Sequence, residues 1–90
     1  MSQHFAVLTG TPNQTEVVYT SETYGPARKW ALDKLDAMKA DCRKYDSDGL
    51  AHIDDVITAL KQAGQPTVEG FGWTFPWMGV TFRLQLKRIT

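Results

Sequence analysis

The segment that most constrains this chain is its C-terminal stretch of aromatic and alternating residues. The run Phe71-Gly72-Trp73-Thr74-Phe75-Pro76-Trp77-Met78 is followed at once by Val80-Thr81-Phe82-Arg83-Leu84-Gln85-Leu86-Lys87. A strict period of two is the mark of a strand with one buried face. Phe71, Trp73 and Phe75 share one face of a first strand. Val80, Phe82, Leu84 and Leu86 share one face of a second, and Thr81, Arg83, Gln85 and Lys87 take the other. The two read as a β-hairpin. Pro76 suits the second position of a turn and Gly79 its close, which places Trp77 and Met78 at the apex. Large apolar groups at a turn are costly unless something covers them. This tip is therefore expected either to fold under its own domain or to meet a partner.

The rest of the chain supplies elements for such a hairpin to join. His4-Phe5-Ala6-Val7-Leu8 is rich in strand formers, Thr9 to Gln14 supplies turn residues, and Thr15-Glu16-Val17-Val18-Tyr19-Thr20 alternates. This predicts an N-terminal hairpin with a six-residue loop, and Val17 and Tyr19 on one face. A helix follows, with Ser21 or Thr23 as its cap and Pro26 in its first turn. Ala27, Ala31, Leu35, Met38, Cys42 and Tyr45 recur at steps of three and four, with Trp30 at the stripe's edge. Asp36 and Lys39 stand three apart on the opposite face, a spacing that permits a weak ion pair. Asp46-Ser47-Asp48-Gly49 breaks the pattern. A second helix is predicted from about Leu50 to Ala63, with Ile53, Val56, Ile57 and Leu60 as its buried stripe. Gly64 then stands at the C′ position, and Pro66 prevents continuation. The order is β-β-α-α-β-β. Its simplest packing is an α+β domain over residues 1–90, a four-stranded antiparallel sheet with both helices on one face.

Composition narrows the function classes. The 90 residues carry ten basic and ten acidic side chains, for a formal net charge of zero. A dedicated nucleic-acid binder usually has a basic excess. The chain has one cysteine, Cys42, so no internal disulfide can form, and a reducing, cytoplasmic setting is expected. No basic segment leads into a long apolar stretch at the N-terminus, and no apolar run reaches transmembrane length. Ten aromatic residues argue for a folded core rather than disorder.

Three local patterns bear on chemistry. Asp46-Ser47-Asp48-Gly49 with Asp55 resembles part of a calcium loop of the EF-hand or dockerin kind. Lys44 stands where the first ligand belongs and Ala51 where an apolar residue is usual, which favours a plain helix connection. His4, His52 and Cys42 are the only histidines and thiol, and Cys42 falls on the core stripe, where a thiol is inert. HExxH, Walker, GxSxG and CxxC motifs are absent from the sequence. Neighbouring Asp54 and Asp55 diverge by about 100° on a helix and make a poor dyad. No catalytic residue, metal or cofactor is assigned. Finally, Arg83, Lys87 and Arg88 form a basic end, against an acidic segment from Asp41 to Asp55.

The sequence reading is therefore a small non-catalytic protein-binding module. It could act as an adaptor, an oligomer subunit or an inhibitor of a larger machine, a profile shared by small phage and mobile-element regulators. The expected contact residues are Trp73, Phe75, Trp77 and Met78 as anchors, with Arg83 and Lys87 at the rim. The partner is another protein, with a second copy of the chain as the most economical choice. No membrane contact is expected. The alternative is single-stranded nucleic acid on the sheet face and the basic last strand. That would require Phe71, Trp73 or Phe75 to reach the open face as stacking platforms.

Overall fold

The computed structural model describes residues 4–45 and 47–89, with side chains described outside 43–47. The element order is β1 (Phe5–Thr11), β2 (Gln14–Ser21), α1 (Tyr24–Tyr45), α2 (Ser47–Gln62), β3 (Phe71–Trp77) and β4 (Val80–Arg88). All strands join one antiparallel sheet in the order β2-β1-β4-β3. This is the α+β arrangement expected from the sequence, β-β-α-α-β-β with two helices and four strands. The two chain-end hairpins lie side by side. β1 pairs with β4 from Phe5↔Arg88 to Gly10↔Arg83.

That position explains the composition of β1. Its Phe5-Ala6-Val7-Leu8 run does not alternate, and all four residues are buried. Phe5 and Val7 belong to the core beneath the helices, whereas Ala6 and Leu8 do not. A strand flanked on both sides can bury residues on both faces, as a continuous apolar run requires.

The helices form an antiparallel pair over one face. Ala27, Ala31, Leu35, Met38 and Cys42 of α1 meet Ile53, Val56, Ile57 and Leu60 of α2 in the same core, with Leu84 and Leu86 of β4 beneath. Trp30 closes the edge of that core by stacking on Tyr19 of β2, ring centres 6.1 Å apart. The first turn of α1 meets the last turn of α2, where Arg28 Nη2 donates to the Lys61 carbonyl at 3.1 Å. A cation at a helix C-terminus answers the negative end of the dipole. Further along, Lys39 pairs across to Asp54 at 2.6 Å rather than to Asp36.

Several boundaries differ from the sequence reading. The first hairpin turns on two residues, Pro12 and Asn13, because β1 continues through Thr9 and Gly10 to Thr11. Gly10 makes this tight closure feasible, since a Cβ there would collide with the Gln14 carbonyl. The register slips between Val7 and Leu8, so that Val7 faces Tyr19 and Leu8 faces Val17, with Val18 as the extra residue of a bulge. Val17 and Tyr19 therefore lie on opposite faces, not one. α2 begins at Ser47 instead of Leu50, which places Asp48 and Gly49 in a helical turn rather than in a loop. It ends at Gln62, and Gly64 does not take the left-handed conformation of a C′ glycine.

One buried polar group lacks a partner. The Tyr24 hydroxyl, on the first residue of α1 and beside the Phe5 ring, makes no hydrogen bond. Leaving such a group unsatisfied costs about 1–3 kcal/mol. Tyr24→Phe is therefore expected to raise stability by roughly 1 kcal/mol, measured by denaturant unfolding. Burial also raises the Tyr24 phenol above its ordinary value of 10.0, against a smaller lowering by Arg28. A raised folded value means that the linked stability is complete below pH 10 and is lost as pH climbs through the folded value. The variant should lack that share of the alkaline loss.

Candidate docking surfaces on the C-terminal hairpin

The C-terminal hairpin is built around cross-strand pairs that all face the helices. Phe71 stands opposite Leu86, Trp73 opposite Leu84, Phe75 opposite Phe82 and Trp77 opposite Val80. Leu84 and Leu86 are core residues, so the aromatic side of β3 is the helix side. Phe75 is 3% exposed, and its ring lies 5.5 Å from that of Phe82. Trp73 is half-buried against Phe71, ring centres 5.2 Å apart. Edge-to-face and tilted contacts of this kind add about 0.5–1.5 kcal/mol beyond burial.

The turn is not where Pro76 predicts it. Pro76 is inside β3, paired with Thr81, and the connection is the two-residue Met78-Gly79. β3 is an edge strand, the place in a sheet where a residue without an N–H is tolerated. Met78 and Gly79 have φ of 53° and 84°. Two successive positive values define the type I′ turn that suits the twist of a hairpin. Glycine takes such a conformation at little cost, but methionine does not. A side chain in the left-handed region costs about 1–2 kcal/mol.

Trp77 is the last residue of β3, and its indole turns back onto α1. Nε1–H donates to the Met38 carbonyl at 3.2 Å, and the ring meets Phe82 edge-on at 6.3 Å. The hairpin end is thereby held to the helix layer. Past this anchor, Met78 and Val80 remain 40% and 56% exposed. The expected anchors thus divide. Phe75 belongs to the core, Trp73 and Trp77 are half-buried, and Met78 is exposed with Val80, a neighbour the sequence reading assigned to the buried face.

Arg83 and Lys87 lie on the opposite side. They alternate with the core residues Leu84 and Leu86, and so occupy the helix-free face of the sheet with Gln85. Arg83 Nη1 donates to Thr74 Oγ1 at 2.9 Å, so its guanidinium lies along the neighbouring strand. Among the described residues, neither cation has a carboxylate within ion-pair distance. They therefore do not form a rim around the aromatic anchors. Phe71, Trp73 and Phe75 do not reach the open face, which leaves the nucleic-acid reading with cations but without stacking rings.

The remaining candidates are dispersed. Cys42 is buried in the core and His52 is exposed on α2. Asp48 and Gly49 are helical, Asp46 lies outside the described residues, and no group of three or more metal-ligating side chains comes together among the described ones. Among the described residues, no helix is long and apolar enough to cross a membrane. An open groove of about 590 Å³ lies between the 65–69 segment and Arg88, where the Arg88 amide donates to the Thr67 carbonyl at 2.9 Å. Comparison with protein-family models, curated proteins and solved structures finds no significant match to this chain.

The anchoring of the turn is open to a direct check. Trp77→Phe keeps an aromatic ring but deletes the donor to Met38. It is expected to cost about 1 kcal/mol, the net value of one hydrogen bond, with faster amide exchange confined to the Trp77–Val80 end.

Proposed function

We propose that this protein is a small non-catalytic protein-binding module that docks through the turn of its C-terminal hairpin. The observation that carries the reading is Met78 at φ 53°, exposed at the apex of a type I′ turn. Asparagine or glycine would suit that position better. A strained residue kept at the surface is a pointer to function. The methionine side chain is flexible and polarisable, which suits it to filling a partner's pocket. Val80 extends the apolar patch, and the Trp77 bond to α1 holds it on a rigid support. Pre-organisation of this kind lowers the entropic cost of binding.

The partner fitted to this turn is a protein with an apolar pocket. A second copy of the chain is the simplest such partner, since a two-fold interface uses one patch twice. Roles as an adaptor, an oligomer subunit or an inhibitor of a larger machine all follow from docking without chemistry.

The test is solution mass and unfolding free energy for the wild type, Met78→Asn and Met78→Asn with Val80→Thr. Met78→Asn should raise stability by about 1 kcal/mol by relieving the left-handed methionine. If the wild type is a dimer, the double variant should be a folded monomer. If both are monomers of similar stability, the turn is available to a foreign partner. A marked loss of stability in Met78→Asn would show that Met78 serves the fold, and the reading would fall. So would a dimer that the double variant leaves intact.

A further inference from the structure

The helix-free face of the sheet has two halves of different chemistry. β4 contributes Arg83 and Lys87, and β3 leaves room for both. A Cβ on Gly72 would lie 3.2 Å from the Arg83 guanidinium, and Gly70 sits against the Lys87 stem. The other half is apolar. Leu8 lies opposite Gln85 on one side and Val17 on the other. Leu8 is 8% exposed although no helix covers this face, whereas Val17 remains 54% exposed. Among the described residues, no carboxylate forms an ion pair on this face. Glu16 stands opposite Thr9, which itself faces the core residue Leu84, so Glu16 belongs to the helix side.

We infer that this face is a second docking surface, fitted to an acidic amphipathic segment of a partner protein. Its carboxylates would sit over Arg83 and Lys87, and its apolar side chains over Val17. Charge complementarity sets the sign of the partner. Two cations without an ion-pair partner among the described residues favour an anion, and they oppose face-to-face pairing of two copies, which would set like charges against each other. Spacing sets its form. Arg83 and Lys87 are four residues apart on one strand, about 13 Å. Carboxylates two turns apart on a helix are separated by about 11 Å. The apolar half favours a protein segment over nucleic acid, because this face presents no aromatic ring for a base to stack on. The surface is on the opposite side of the sheet from the Trp77 anchor, so it stands or falls independently of docking by the turn.

The test uses a synthetic helical peptide of leucine, alanine and glutamate, about 18 residues or five turns long, with glutamates repeating on one face. The same peptide with lysine in place of glutamate and a short oligo-dT serve as competitors. Binding is followed by amide and methyl shifts of the intact protein. The glutamate peptide should give saturable shifts at Val17, Arg83 and Lys87. Arg83→Gln with Lys87→Gln should weaken it at least about tenfold, as should raised salt. Val17→Thr should weaken it with the charge unchanged, and Met78→Asn should leave it intact. The proposal is overturned if the lysine peptide binds as well, if only oligo-dT shifts this face, if the shifts map to the Met78 turn, or if no saturable shift occurs.

Discussion

The pairing of β1 with β4 is the contact on which the rest of the structure depends. It joins residues from opposite ends of the chain, Phe5 with Arg88 and Val7 with Leu86. Each hairpin can form locally, but neither alone offers a sheet wide enough to receive both helices. Once joined, the two central strands supply Phe5, Val7, Leu84 and Leu86 as a floor for α1 and α2. The cost of closing so long a loop grows only slowly with its length. Burial of that floor offsets it.

The second hairpin carries two roles on one scaffold. Its helix-side residues finish the core, and Trp77 couples its end to the middle of α1 through the Met38 carbonyl. This coupling explains why an apolar turn can persist at the surface without loosening the fold. The turn is held from behind, by the Trp77 hydrogen bond and its contact with the Phe82 ring, rather than by being covered. Exposure of Met78 and Val80 is thus compatible with rigidity, and rigidity is what would let an exposed patch of two residues serve the proposed docking.

Much of the architecture was legible because period and chemistry agreed. The helical stripes Ala27-Ala31-Leu35-Met38-Cys42 and Ile53-Val56-Ile57-Leu60 are each buried as their spacing implies. The alternation in β4 likewise sorts Leu84 and Leu86 from Arg83 and Lys87. Failures came where a residue's local preference competed with tertiary context. Pro76 reads as a turn residue, yet an edge strand accommodates it. Met78 reads against a left-handed conformation, yet the turn imposes one on it. The bulge at Val18 leaves no composition signal, and a one-residue slip is enough to reverse the faces of Val17 and Tyr19. Strand order was not legible, because it depends on which strands meet across the whole chain. The candidate site suffered most from this. Side-chain types marked the hairpin as unusual, but only the pairing showed that its aromatics and its cations lie on opposite faces.

The sheet edges favour the proposed docking by the turn or the open face over strand addition. Both outer strands present unpaired backbone, the usual template for adding a partner's strand. Each is blunted by a different device. β3 carries Pro76, which has no N–H to offer, and β2 carries the Val18 bulge, which breaks its regular spacing and increases its twist. A chain that protects both edges yet leaves Met78, Val80, Val17 and Val18 exposed has not simply failed to cover its apolar surface. Its protection is placed where non-specific pairing would start. On the proposed reading, its exposure lies where recognition would depend on side-chain shape and charge rather than on backbone hydrogen bonds that any extended segment could make.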